Sequence, residues 1–223
     1  MQSKVIILFG SPGSGKGQQA DLLADMRGLI HIDTGKLLRA ILKDPEALKD
    51  PKTQKEKELN DAGILNTPAW VVEVLKKKIE AVAKLGYGIV FSGSPRTLYE
   101  AQEIFPFLET LFGKEYIKIF YLNVPLEVAE ERNRSRFVCG VCRRPLLAAY
   151  YPSKNPESCP VCAGPLERRV DDDPEKFKTR SREYIERTKP AIDYAREHGF
   201  PIHEIDGTEA PFKVFQAIVK DLS

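Results

Sequence analysis

Two observations place the chain in the α/β class, with a parallel sheet of five strands flanked by helices. Short apolar runs alternate with longer stretches of helical periodicity along the whole chain. The first of those runs, residues 5–9, leads directly into the glycine-rich loop Gly10-Ser-Pro-Gly-Ser-Gly15-Lys16, which opens a helical stretch. The apolar runs at 5–9, 29–32, 88–91, 116–122 and 200–205 supply the five strands. The third is entered by the turn Gly86-Tyr87-Gly88, and the fourth is rich in β-branched and aromatic residues. Helical patterns fill 16–26, 68–84, 98–111, 126–136, 175–198 and 211–222, and Gly199 stops the fifth of these. In the 68–84 helix, Trp70, Val71, Val74 and Leu75 have core spacing, while Lys76, Lys77 and Lys78 read as a solvated face.

Two stretches break this rhythm. Residues 34–67 are helical and polar, interrupted at Asp44-Pro45 and Asp50-Pro51. Residues 137–170 hold all four cysteines and five prolines, with little periodicity. Both read as insertions on a core made of 1–33, 68–136 and 171–223, placed where a rigid scaffold commonly carries function on its loops.

Composition narrows the function classes. The 223 residues suffice to bury a core without staples. A net charge of +2 argues against a dedicated nucleic-acid binder. The apolar runs are too short for a signal peptide or a membrane span, so the expectation is a cytoplasmic chain with no membrane contact. In that compartment two close pairs of cysteines favour metal over disulfides.

The loop at 10–16 fits the phosphate-loop pattern G-x-x-x-x-G-K. Glycines let backbone N–H groups converge on one concavity, the following helix adds partial positive charge, and Lys16 can reach the β- and γ-phosphates. The hydroxyl residue that usually follows the lysine, and helps hold Mg2+, is absent: Gly17 and Gln18 stand there. Cys139-Gly-Val-Cys142 and Cys159-Pro-Val-Cys162, sixteen residues apart, form a zinc spacing. Four thiolates make a closed, structural site that would fold a loop-rich flap lacking its own core. Two disulfides, a redox pair or a nucleic-acid-binding zinc ribbon are the alternatives.

Several segments resemble the adenylate kinases, in family order, over nearly the whole chain. Gly10-Ser-Pro-Gly-Ser-Gly-Lys-Gly17 resembles GxPGxGKG. Asp33-Thr-Gly-Lys-Leu-Leu-Arg39 is similar to STGDxLR, and Asp61-Ala-Gly-Ile-Leu65 to DAGKLV. Ser92-Gly-Ser-Pro-Arg-Thr97 is similar to DGFPRT, Val170-Asp-Asp172 to xDD, and Ile205-Asp-Gly-Thr208 to xDGT. The resemblance implies a P-loop kinase with a monophosphate-binding flap at 34–67 and a zinc-bearing lid at 137–170. It implies reversible transfer of a phosphoryl group from ATP to AMP, giving two ADP, by a monomer that uses Mg2+ with ATP. The implied catalytic set is Lys16, Arg96, Arg132, Arg136, Arg169 and Arg180. ATP would be held by Gly10, Ser11, Pro12, Gly13, Ser14, Gly15, Lys16, Gly17, Gln18, Arg132 and Arg136, with Arg132 also over the base. The monophosphate would be held by Thr34, Gly35, Arg39, Leu65, Asn66, Gly93, Arg96, Glu100, Arg169 and Arg180. The zinc ligands would be Cys139, Cys142, Cys159 and Cys162. So many arginines suit a transition state that spreads charge over several oxygens. Asp171 and Asp172 read either as arginine partners or as helix-start acids.

The chain also departs from the family. Ser92 stands for the Asp that helps organise Mg2+, Lys36 for the Asp of STGD, Gln18 for Thr, Ser94 for Phe and Asn66 for Val. Glu100 stands for the Gln that reads adenine. A carboxylate only accepts hydrogen bonds, which suits guanine or cytosine better. GMP or CMP is therefore the alternative acceptor, and a slow, regulatory nucleotide-binding protein is the alternative to an enzyme. His31, His198 and His203 suggest no pairing in the sequence and read as structural.

Overall fold

The computed structural model describes residues 4–62, 64–147, 157–168 and 173–222. The sheet is built around β1 (Val5–Gly10), whose six residues are all buried. A strand covered on both faces can be uniformly apolar, and β1 is the central strand of a parallel sheet. Its neighbours are β3 (Ile89–Ser92) and β4 (Ile117–Asn123); β2 (Ile30–Asp33) and β8 (Ile202–Asp206) complete the order β2-β3-β1-β4-β8. All the pairings are parallel. The five apolar runs are thus the five strands, with bounds displaced by one or two residues.

Side chains alternate across the strands into two cores. On one face Ile6, Leu8, Val90 and Phe120 pack with Ala20 and Leu23 of α1 (Lys16–Arg27) and Val214 and Ile218 of α9 (Pro211–Asp221). On the other, Val5, Ile7, Phe91 and Ile119 meet α4 (Pro68–Lys84), α5 (Leu98–Phe112) and α8 (Lys189–Glu197). Each fully buried Ile, Leu or Phe stabilises by about 1.5–3 kcal/mol. The chain runs from β1 through α1 to the β2 edge and later crosses from β3 to β4 on the other side of β1. The loop after β1 therefore opens at the point where strand order reverses, where parallel sheets bind ligands.

The stretch between β2 and α4 folds as α2 (Thr34–Ile41), a 3-10 turn (Ala47–Lys49) and α3 (Pro51–Asp61). Asp33 and Asp50 cap the two helices, accepting from Lys36 N and Lys52 N. Helix α6 (Leu126–Ser135) ends one residue earlier than its periodicity suggests. Arg136 instead opens β5 (Arg136–Cys139), which pairs antiparallel with β6 (Pro145–Leu147) and β7 (Leu166–Glu167).

The single helix expected over 175–198 is interrupted. It forms as α7 (Pro174–Glu183), a π-turn (Tyr184–Thr188) and α8. Pro190 lacks an N–H and its ring crowds the carbonyl four residues back, so the ladder must open there. Thr188 Oγ1 donates to the Arg96 carbonyl at 3.0 Å, tying this turn to the loop before α5.

That loop is fixed from inside. Thr97 caps α5 by accepting from Glu100 N at 3.2 Å. The buried Glu100 carboxylate accepts from Arg96 N at 2.8 Å, Ser94 Oγ at 3.2 Å and Thr97 Oγ1 at 3.3 Å. This is a capping box in which the acid reaches past the cap. Burial raises the Glu100 pKa above its ordinary value, against the lowering by the Arg96 N–H and charge and the two hydroxyls. Among the described residues no helix is long and apolar enough to cross a membrane.

A carboxyl with a raised folded-state pKa contributes stability at low pH that is lost as pH rises through that pKa. Glu100→Gln does not titrate. Its stability relative to the parent should therefore rise between about pH 4 and about pH 8, through the carboxylate range and above it. Urea unfolding across that range reads the gap; a constant gap contradicts the assigned burial cost.

Candidate active site

The loop between β1 and α1 is shaped by close approach. Gly13 has φ +85°, and a Cβ there would lie 2.4 Å from the Ala129 carbonyl oxygen. Gly15 (φ +92°) precedes α1, whose N-terminus has no side-chain cap and no acidic residue in its first turn. Uncapped N–H groups and the helix dipole favour an anion at this point. Lys16 Nζ donates to the carbonyls of Gly10 and Ser11 at 2.6 and 2.8 Å and to Ser14 Oγ at 3.3 Å. Its pKa falls to about 7, first because the ammonium is enclosed, then because the charges of Arg96, Arg180 and Arg136 reach it; Asp33 opposes them. Cations from other elements are thus within electrostatic reach of Lys16, an arrangement that suits a polyanion.

The remaining predicted residues have definite positions. Arg96 Nε donates to the Gly93 carbonyl at 2.6 Å, and a Cβ on Gly93 (φ +96°) would lie 2.9 Å from its guanidinium. Arg39 lies over Gly35, 3.3 Å from where a Cβ would stand. The buried hydroxyls of Ser11 and Thr34 have no hydrogen-bond partner. Arg132 donates to the carbonyls of Gly207, Thr208 and Glu209 at 2.6, 2.7 and 3.2 Å. Arg136 donates to Asn133 Oδ1 at 3.3 Å. Asn66 is buried against α3, donating to the Glu56 carbonyl and carboxylate at 2.8 and 3.0 Å, and Leu65 beside it is half-buried. Glu100 is committed to its own loop. Pro12, Gly17 and Gln18 lie on the loop and the first turn of α1. Arg169, Asp171, Asp172 and Gly63 fall outside the described residues.

The histidines have structural partners. His31 Nδ1 lies 2.6 Å from Asp21 Oδ1, and its Nε2 lies 2.7 Å from Ser92 Oγ. Partial burial opposes ionisation of Asp21, yet the bond and charge of His31 hold its pKa below the ordinary carboxylate value. An ionised carboxylate only accepts, so Nδ1 carries a proton; Nε2 shares a hydrogen bond with the Ser92 hydroxyl, as acceptor from a neutral ring or donor from a charged one. His203 lies 3.3 Å from Asp221, and His198 Nδ1 lies 2.8 Å from the Tyr194 carbonyl. Asp21, His31, Asp33 and Lys36 line a cavity of about 430 Å³ at the β2 edge. A second, of about 560 Å³ beside α4, contains none of the predicted site residues. The signal for the chain from Asp21 to Ser92 was the alternation of His31 and Asp33 along β2, which puts both on one face.

The four cysteines converge in the small sheet. Cys139 Sγ lies 3.5 Å from Cys162 Sγ, Cys142 Sγ 3.7 Å from Cys159 Sγ, and all four lie within 4.8 Å. None is bonded to another. A tetrahedron with metal–sulfur bonds of 2.3 Å has edges of about 3.8 Å, so the sulfurs fit zinc. The two knuckles repeat one geometry. Arg143 N and Ala163 N bond back to the carbonyls of Cys139 and Cys159, and both residues adopt φ near +60° (59° and 55°). Burial works against the Cys139 thiolate, but the N–H groups of Cys142 and Val141 at 3.3 and 3.4 Å bring its pKa to about 6.

Comparison with known proteins agrees with this geometry. The family model described as adenylate kinase matches residues 8–200. The chain is 40% identical to the adenylate kinase of Chlamydia pneumoniae over 86% of this chain and 85% of that protein. It is 35% identical to that of Kosmotoga olearia over 97% and 98%, and 33% identical to that of Thermotoga maritima over 96% and 95%. The chain belongs to the adenylate kinase family.

Proposed function

We propose that the chain is an ATP:AMP phosphotransferase that converts ATP and AMP reversibly into two ADP. The observation that carries this reading is the glycine loop at the uncapped start of α1, where the enclosed Lys16 feels the charges of Arg96, Arg136 and Arg180. Phosphoryl transfer needs positioning and charge neutralisation more than covalent chemistry from the protein, because a phosphate oxygen of the acceptor attacks directly. Lys16 and the loop N–H groups hold the β- and γ-phosphates. Arg132 and Arg136 serve the triphosphate from the lid side, while Arg169 and Arg180 act on the transferred group and on the monophosphate. Arg39 and Arg96 clamp the phosphate of the monophosphate, with Thr34, Gly35, Leu65 and Gly93 around its sugar and base. The flap at 34–67 and the lid at 137–170 close over the two substrates and exclude water, so that transfer prevails over hydrolysis. Mg2+ arrives with ATP and offsets charge on its phosphates. The oxygen donors of Asp33, Ser92 and Gln18 suit its water shell. The cysteine cluster holds structural zinc. The enzyme works as a cytoplasmic monomer.

AMP is favoured over GMP or CMP because Glu100, the residue on which the alternative rests, already accepts three bonds from its own loop. The direct test is diphosphate formation from Mg·ATP with AMP, GMP, CMP, UMP and dTMP in parallel. Turnover with AMP is expected, lowered about 100- to 1,000-fold by Lys16→Met. Turnover confined to GMP or CMP replaces the acceptor; intact ATP binding without turnover replaces the enzyme by a regulatory binder.

Two further outcomes follow from the site. Free Lys16 is partly neutral above about pH 7, and bound phosphates restore its charge. ATP binding at about pH 8 should therefore take up a fraction of a proton, seen by calorimetry in buffers of different ionisation enthalpy, and Lys16→Met should abolish the uptake. Elemental analysis should find about one zinc per chain. Cys142→Ser with Cys162→Ser should lose it and lower the melting temperature; four reactive thiols and no metal in the parent would refute the zinc assignment.

A further inference from the structure

In the segments compared above, the family has Ser where this chain has Asp33, and Asp where it has Ser92. The structure sets these two exchanged residues side by side. β2 and β3 pair in parallel register with Asp33 opposite Ser92, so one strand spacing, about 4.8 Å, separates their backbones. Both side chains belong to the face covered by α1. Val90, two residues before Ser92, packs with Ala20 and Leu23, and His31, two residues before Asp33, reaches Ser92 Oγ. We propose that Asp33 is the carboxylate that orders the water shell of the Mg2+ carried by ATP, the carboxylate having moved one strand from β3 to β2. This rests on the ATP:AMP reading.

The donor set suits a hydrated Mg2+, which prefers oxygen partners and keeps several waters. Asp33 Oδ1 is occupied, accepting from Lys36 N at 3.0 Å to cap α2. Oδ2 is 3.8 Å from the exposed Lys36 Nζ, a weak and screened contact, and remains able to accept from water. The neighbouring hydroxyl is prepared as an acceptor. Asp21 holds His31 Nδ1, Nε2 shares a hydrogen bond with Ser92 Oγ, and in either direction of that bond a Ser92 lone pair is left for a water of the shell. His31 is itself no ligand, because both its ring nitrogens are engaged. The charge of Asp33 is felt at Lys16, the lysine of the loop read as holding the phosphates.

The test is calorimetric titration of the full, zinc-loaded chain with ATP, with Mg2+ and again with EDTA, so that the readout is binding and not turnover. Asn caps helices as well as Asp, so Asp33→Asn keeps α2. It should lower the Mg2+-dependent gain in ATP affinity about 10-fold, as loss of an outer-shell partner does, and leave metal-free ATP affinity within about 3-fold. The exchange Asp33→Ser with Ser92→Asp, which moves the carboxylate back to β3 and keeps a capping hydroxyl, should restore most of the gain. An unchanged Mg2+ gain in Asp33→Asn overturns the proposal, as does an equal loss with metal-free ATP. A parent that binds no ATP at all overturns instead the kinase reading, and this proposal with it.

Discussion

The central position of β1 governs the rest of the molecule. Its residues Val5 to Phe9 are 3% exposed or less, so the strand cannot shift without opening both cores at once. Its C-terminal end is therefore a fixed point from which the loop at 10–15 is hung. Because Gly13 lies against the Ala129 backbone, the loop is also referenced to α6, the helix that leads to the small sheet. The phosphate-binding N–H groups are thus placed by packing well away from them, and a methyl group at Gly13 would break the connection.

On this scaffold the protein gathers positive charge around Lys16. Enclosure of the Lys16 ammonium, and then the charges of Arg96, Arg180 and Arg136, depress the lysine's pKa. An anion beside the lysine would favour its charged form, so enclosure and like charge at this point suit a polyanionic ligand. Glycines at 35 and 93 serve the same arrangement, leaving room for the guanidinium groups of Arg39 and Arg96 to lie flat on the backbone.

Much of this was legible in the sequence. The five strands, the phosphate loop and the cysteine spacing each follow from a local rule that the folded chain obeys. The misreadings have a common cause: they depend on neighbours remote in sequence. Glu100 looked free to read a base, but Ser94, absent from the family pattern, and the Arg96 N–H enclose it. His31 looked idle because Asp21 and Ser92 meet it only once α1, β2 and β3 are assembled. The exchange between positions 33 and 92 is visible in the sequence as two unrelated substitutions. Strand register makes them one.

The π-turn at Tyr184–Thr188 has a consequence for how one stripe of residues is used. Phe177, Ser181, Tyr184, Thr188, Ala191 and Ala195 are spaced 4-3-4-3-4, the pattern of a single continuous seam, and for that reason the segment reads as one helix. The wider turn absorbs about one residue, turning everything beyond it by about 100° relative to what precedes it. Phe177 then packs with Val124 and Ala129, while Ala191, Ile192 and Ala195 pack beneath the main sheet. A single heptad rhythm thus serves two cores facing different ways, and removing the phase change would force a choice between them.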